Sequence, residues 1–208
     1  LFFCVGTRLI YILPTALSGI IGAAWYIRSD AVRWTRIEAW LDLEAHQQDK
    51  GQQQWRALLA FGNGGPEGVG LGNGSEKFGT LTFAYSDFIF PVVGEELGLA
   101  FTLGTVLCYV LIAVCGCSIA IRAANLFDRC LALGMTCVLV VPAMVNIAVT
   151  TAALPNDGLP LPFVSHGGTS LMISLGAVGL LCGIHRRSYV MVERAEPVVG
   201  AKVYAVKL

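Results

Sequence analysis

Leu97-Gly-Leu-Ala-Phe-Thr-Leu-Gly-Thr-Val-Leu-Cys-Tyr-Val-Leu-Ile-Ala-Val-Cys-Gly-Cys-Ser-Ile-Ala-Ile121 runs for 25 residues without one charged side chain. A helix needs about 20 apolar residues to cross the hydrocarbon core of a bilayer, so this stretch reads as a membrane span. Three more uncharged stretches have the same character: Leu9–Ile27, Cys130–Asn156 and Gly168–Ile184. Across all 208 residues, 55% are hydrophobic and 13% charged. Soluble domains average about 25% charged, so an ordinary soluble domain and a disordered chain are both excluded. Lys+Arg and Asp+Glu number 14 each, which leaves no basic surplus for binding nucleic acid.

The expected fold is an all-α integral membrane protein. It is a polytopic helix bundle with a large extracytoplasmic loop carrying short amphipathic helices. We read residues 1–208 as a single membrane domain with spans at about 9–27, 92–121, 130–153 and 168–184. The loop takes about 28–91, and a cytoplasmic tail takes 185–208. Residues 1–6 read as the tail of an earlier span, so the chain is expected to be the C-terminal portion of a longer protein. A secretory signal does not fit, because three further spans follow the first.

Arg8, Arg122, Arg129 and His185-Arg186-Arg187 cluster in the short connections on one side, whereas 154–167 has no Lys or Arg. By the positive-inside rule those clusters are cytoplasmic, and residues 28–90 with Asp157 lie outside. The seven cysteines all fall in or beside spans, so disulfides are not expected. Cys115-Gly-Cys117 lacks the second pair that a metal site needs, and reads as small residues filling a helix face.

The outer loop changes character three times. Val32–Ala45 is amphipathic, with Ile37, Trp40 and Leu41 between Arg36, Glu38, Asp42 and Glu44, as in a helix at the membrane interface. Gly51–Phe61 is expected to form a second short helix with Trp55, Leu58 and Leu59 on one side. Gly64–Gly74 then has six glycines in eleven residues, without the GxGxxG or GK[ST] spacing of nucleotide sites. Backbone contact with phosphate and a flexible turn both fit it.

Asp87, Glu95 and Glu96 stand at the mouth of the second span among Phe83, Phe88, Ile89 and Phe90. Acids at that depth carry a functional hypothesis, while a helix N-terminus accounts for at least one of the glutamates. The last external segment, Leu154–Ser170, has three prolines and three glycines, which forbid a continuous helix. Irregular backbone at membrane depth must be buried in protein or line a wet cavity. Ser165 and His166 are adjacent and outside any GxSxG elbow, so a hydrolase triad is a poor reading.

Gly70-Leu-Gly-Asn73 with Lys77, Asp87-Phe-Ile-Phe90, Gly94-Glu-Glu-Leu-Gly98, Asn146 and Gly158-Leu-Pro-Leu-Pro-Phe-Val-Ser-His-Gly-Gly-Thr-Ser170 together carry a resemblance. In this order and spacing they resemble the SEDS family (shape, elongation, division and sporulation) of peptidoglycan glycosyltransferases. The likeness runs from about Leu1 to Arg187, covers the family's C-terminal half, and is closer to the division member than to the elongation member. It implies polymerisation of lipid II, a disaccharide-peptide on undecaprenyl diphosphate, at the outer face of the bacterial cytoplasmic membrane. It also implies a class B penicillin-binding transpeptidase as partner, contact with membrane lipid, and a place at the division septum.

Asp87 matches the family's proposed catalytic residue. The chemistry agrees: a diphosphate leaves without a general acid, unlike the two-carboxylate case of glycoside hydrolases, and one base suffices for the acceptor hydroxyl. The departing diphosphate needs positive charge, for which Lys77 stands first and Arg33 and Arg36 next. A divalent cation such as Mg2+ held by Asp87 or Glu96 is another source. The substrate-binding set is then Lys77, Arg33, Arg36, Gln53, Glu96, Asn146, Ser165, Gly167 and Gly168. The chain departs from the family where Thr82, Phe83 and Tyr85 replace its proline, glutamate and histidine, and where Pro142 and His166 replace glutamine and tyrosine. A lipid II flippase, an elongation-type polymerase and a non-catalytic division scaffold are the alternatives.

Overall fold

The computed structural model describes residues 9–75 and 86–204, with side chains of Leu9, Ile12 and 190–204 left aside. Among the described residues there are six helices and no strand: α1 (Leu9–Ser29), α2 (Ala31–Leu41), α3 (Gln52–Gly64), α4 (Ile89–Arg122), α5 (Leu126–Thr150) and α6 (Gly168–Tyr204). The fold is all-α. Ile89–Arg122, Leu126–Thr150 and Gly168–Tyr189 are long and apolar enough to cross a membrane. The 21 residues of α1 contain the first uncharged stretch, and α1 packs against α2 alone among the described elements.

The spans α4, α5 and α6 form the bundle. Its first core, toward the end that bears Arg122, Arg129 and Arg187, joins Ala120, Ala132, Leu139, Ala177, Leu181 and Ile184. Small residues let these helices approach closely, the usual device where lipid removes any hydrophobic drive between helices. Gly116 shows how close: a Cβ there would stand 2.1 Å from Thr136 Oγ1. At the same end Arg187 reaches the buried Asp128 at 3.6 Å, so the groups at Arg122/Arg129 and at 185–187 share one end, while Arg8 lies outside the described residues. The opposite end has two further clusters, Ala57, Phe88, Val92 and Val149, and Phe90, Tyr109, Ala143 and Leu161.

Both amphipathic helices differ from expectation in detail. Asp30 caps α2 by accepting the Val32 N–H at 3.0 Å. The helix stops at Leu41 rather than Ala45, because Asp42 takes the Ala45 N–H on its side chain and His46 Nδ1 on its carbonyl. Local side-chain bonds of this kind compete with helix continuation. In α3 the buried face is Gln54, Ala57, Ala60 and Gly64, while Leu58 and Leu59 are exposed. Small residues win that face because α3 lies directly on the α4 backbone: a Cβ on Gly64 would stand 2.1 Å from Gly94 O.

The second span begins at Ile89, ahead of the expected 92, and is broken at Gly98 (φ 77°, ψ −173°). From Leu99 to Arg122 the helix is about 36 Å long at ~1.5 Å per residue, enough for the hydrocarbon core. Glu95 and Glu96 therefore sit in the last turn before the break, just ahead of the helix that restarts at Leu99. The glycine-rich segment is docked on that break. Val69 and Gly70 donate their N–H groups to Glu95 O and Glu96 O (2.9 and 3.0 Å), and Leu99 N–H turns to Gly65 O at 3.1 Å. A β-carbon on Gly68 would come within 2.4 Å of Glu96 O, so this packing admits glycine alone.

Candidate active site

Residues 151–167 run irregularly from α5 to α6, and nearly every element at this end is bonded to them. Gln54 Nε2 donates to Val149 O and Leu154 O (2.9 and 2.7 Å), and Trp40 Nε1 to Ala152 O at 2.8 Å. Asn156 Nδ2 donates to Gln53 Oε1 at 2.8 Å, and the Tyr109 hydroxyl to Pro162 O at 2.5 Å. These bonds satisfy backbone that would otherwise be stranded near the bilayer.

Asp87 lies half-buried just ahead of α4, held by this segment. Asn146 Nδ2 donates both to the Asp87 carbonyl (2.7 Å) and to Leu159 O (2.6 Å). Ser165 Oγ donates to the carbonyl of Ser86 and accepts the Leu161 N–H at 2.7 Å. The Ser86 hydroxyl donates to Asp87 Oδ1 at 2.5 Å. Gly158, in left-handed backbone (φ 69°), faces the other oxygen, Oδ2. Asn146 and Ser165 thus stand under Asp87 as supports. The Ser165 hydroxyl is committed to backbone and is not free to act as a nucleophile.

Two kinds of space adjoin the segment that holds the aspartate, and Asp87 lines neither. A cavity of about 690 Å³ is lined by Ile89, Phe163, Val164, Ser165, His166, Gly167, Gly168 and Leu171. Its walls are mostly apolar, and Phe163 adopts a left-handed φ of 68° there, a conformation rare for a bulky residue. On the polar side, Arg33, Arg36, Asn156 and Asp157 line a cleft of about 440 Å³. Arg36 and Asn156 also line a neighbouring cleft of about 350 Å³ with Asp49, Lys50 and Gln53. Asp157 precedes Gly158, so the polar cleft begins one residue from the group that faces Asp87 Oδ2.

Arg33 pairs with Asp30 at 3.3 Å and lies over the Tyr26 ring at 3.9 Å. Arg36 is exposed, and among the described residues no carboxylate lies within 4 Å of it in a described ion pair. Glu96 belongs to a different contact: its Oε2 accepts the Gly72 N–H at 3.0 Å, while buried Glu95 accepts the N–H and hydroxyl of Ser75 (2.9 and 3.0 Å). Lys77, Thr82, Phe83 and Tyr85 lie outside the described residues. No three His, Cys, Asp or Glu side chains gather into a metal's donor set among the described residues. Asp87 Oδ1 and the glutamates are engaged by Ser86, Gly72 and Ser75, so the donors among the described residues do not fit a divalent cation.

Ser86, Gln54 and Tyr109 escape the sequence reading, and Gly158 enters it only as the first residue of a motif. A serine next to an aspartate is a local signal that could have been used; the carbonyls that Gln54 and Tyr109 meet, 95–100 and 53 residues away, leave none.

Residues 1–190 match the family model for FtsW/RodA/SpoVE cell cycle proteins. A probable peptidoglycan glycosyltransferase FtsW of Trichlorobacter lovleyi is 40% identical over 182 residues, 88% of this chain and 48% of the relative. Its counterpart in Geobacter sp. (strain M18) is 40% identical over 185 residues, 89% and 50% of the two chains. That of Saccharophagus degradans is 37% identical over 188 residues, 86% and 47%. A solved chain from a peptidoglycan synthase complex that coordinates polymerization and crosslinking superposes with a TM-score of 0.68 at 25% identity, over 88% of this chain and 50% of that one. The chain spans about half the length of the relatives it matches.

Proposed function

This chain belongs to the FtsW/RodA/SpoVE family of cell cycle proteins, and on that premise we propose that it carries the catalytic end of a lipid II polymerase. The protein joins lipid-linked disaccharide-peptides into glycan strands at the outer face of the cytoplasmic membrane during division, together with a class B penicillin-binding transpeptidase. Asp87 is the general base. It takes the proton of the acceptor sugar's hydroxyl as that oxygen bonds to the anomeric carbon of the donor. The bond to the diphosphate breaks with its electron pair on the leaving group, and the configuration at that carbon inverts. Arg33, Arg36 and Lys77 supply positive charge to the departing diphosphate.

The observation that carries this reading is how Asp87 is held: Ser165, which bonds the Ser86 carbonyl, lines a mostly apolar cavity, and Gly158, which faces Asp87 Oδ2, follows Asp157 of an arginine-lined polar cleft. An amphiphilic substrate needs both, with its polyprenyl chain in one and its sugar-peptide in the other. The test is polymerisation by the full-length protein reconstituted with its transpeptidase partner. Asp87→Asn is expected to bind lipid II and make no strands; strands made at the wild-type rate would overturn the assignment.

A further inference from the structure

The two oxygens of the Asp87 carboxylate have different surroundings. Oδ1 accepts the Ser86 hydroxyl at 2.5 Å, within the range of a charge-assisted O–H···O⁻ bond. Oδ2 faces Gly158, where an added Cβ would stand 3.2 Å away. Both neighbours are fixed from outside: Ser165 holds the Ser86 carbonyl, and Asn146 ties the Asp87 carbonyl to Leu159, the residue after Gly158.

We infer that Ser86 and Gly158 assign separate tasks to the two oxygens. Ser86 occupies Oδ1 and fixes the carboxylate plane, Oδ2 receives the proton, and the acceptor hydroxyl enters over Gly158. The inference rests on the reading of Asp87 as the base. A carboxylate free to rotate about χ2 presents either oxygen at any angle, whereas one pinned at Oδ1 holds Oδ2 in a single direction, the condition for a near-attack geometry. An oxygen that gives its proton to Oδ2 must come within about 2.5–3.0 Å of it. A β-carbon at Gly158 would fill part of that same shell. Asn156 and Asp157 carry the polar cleft away from this point, so a sugar whose hydroxyl lies over Gly158 has its remaining polar groups directed into the cleft. Ser86 is a positioning residue here, and Gly158 forms the floor of the acceptor subsite.

The test uses the full-length protein with its transpeptidase partner, measuring lipid II binding, kcat and KM for polymerisation, and thermal unfolding. Ser86→Ala is expected to lower kcat by about 10- to 100-fold with KM nearly unchanged, and Ser86→Thr, which keeps the hydroxyl, to restore most of it. Gly158→Asn keeps a residue that tolerates positive φ but adds a side chain. It is expected to bind lipid II and unfold near the wild-type temperature while polymerising about 100-fold or more slowly. Wild-type kcat in either Ser86→Ala or Gly158→Asn, with Asp87→Asn inactive, would overturn the division of tasks. Strand synthesis by Asp87→Asn would instead overturn the base itself.

Discussion

The indole N–H of Trp40 donates to the carbonyl oxygen of Ala152 across 2.8 Å, joining α2 to a residue 112 positions later. Ala152 adopts a left-handed φ of 58°, which costs an L-residue roughly 1–2 kcal/mol. Trp40→Phe keeps the apolar ring and removes the donor. It is expected to lower stability by about 1 kcal/mol, read as a lower unfolding temperature in detergent. Ala152→Gly relieves the backbone and is expected to raise it.

Asn146 is buried, and its amide nitrogen serves Asp87 O and Leu159 O together. Asn146→Leu fills the volume but strands both carbonyls, an expected cost of about 1–3 kcal/mol for each. Polymerisation by the full-length protein should fall further than the unfolded fraction explains, because the two segments that flank the carboxylate are then released from each other.

The break at Gly98 is set by left-handed backbone and by contact: a Cβ there would stand 2.5 Å from Gly68 N. Gly98→Ala is expected to displace 65–70 from α4, and Gly68→Ala to do the same from the other side. Limited proteolysis is then expected to cut within 65–75 faster in these variants than in the wild-type protein.

Gly116 and Thr136 offer a cleaner pair. Gly116→Ala drives a methyl into Thr136 Oγ1 and Cγ2 (2.1 and 2.6 Å), with an expected loss of about 1–3 kcal/mol from overpacking. Thr136→Ala in the same chain removes both atoms and should recover most of that loss. Equal destabilisation in the single and double variants would show that α4 and α5 do not meet at these residues.

The three spans of the bundle, α4, α5 and α6, were legible because long uncharged runs allow few other fates, and the all-helical class followed from them. The faces were not. On α3 the leucines look like a core stripe, yet Gln54, Ala57, Ala60 and Gly64 are buried because the helix lies against the glycine backbone of α4. Apolar size signals burial only where side chains meet side chains. Asp42 ended α2 early through bonds to its own neighbours, and Gly98 gave no sign that the helix would break there. Asp87, Asn146 and Ser165 were legible as residues, but their bonds to distant backbone were not: a carbonyl acceptor has no letter in the sequence.

The docking of Val69 and Gly70 on the Gly98 break bears on how this protein can be tagged. A glycine-rich outer segment is ordinarily a favoured place for an epitope or a reporter. Here an insertion between Gly64 and Gly74 would pull away the donors that serve Glu95 O and Glu96 O, and leave Leu99 N–H without Gly65. The turn at 42–50 differs, since the bonds that shape it stay within α2, the turn and the first residue of α3. A peptide label belongs there.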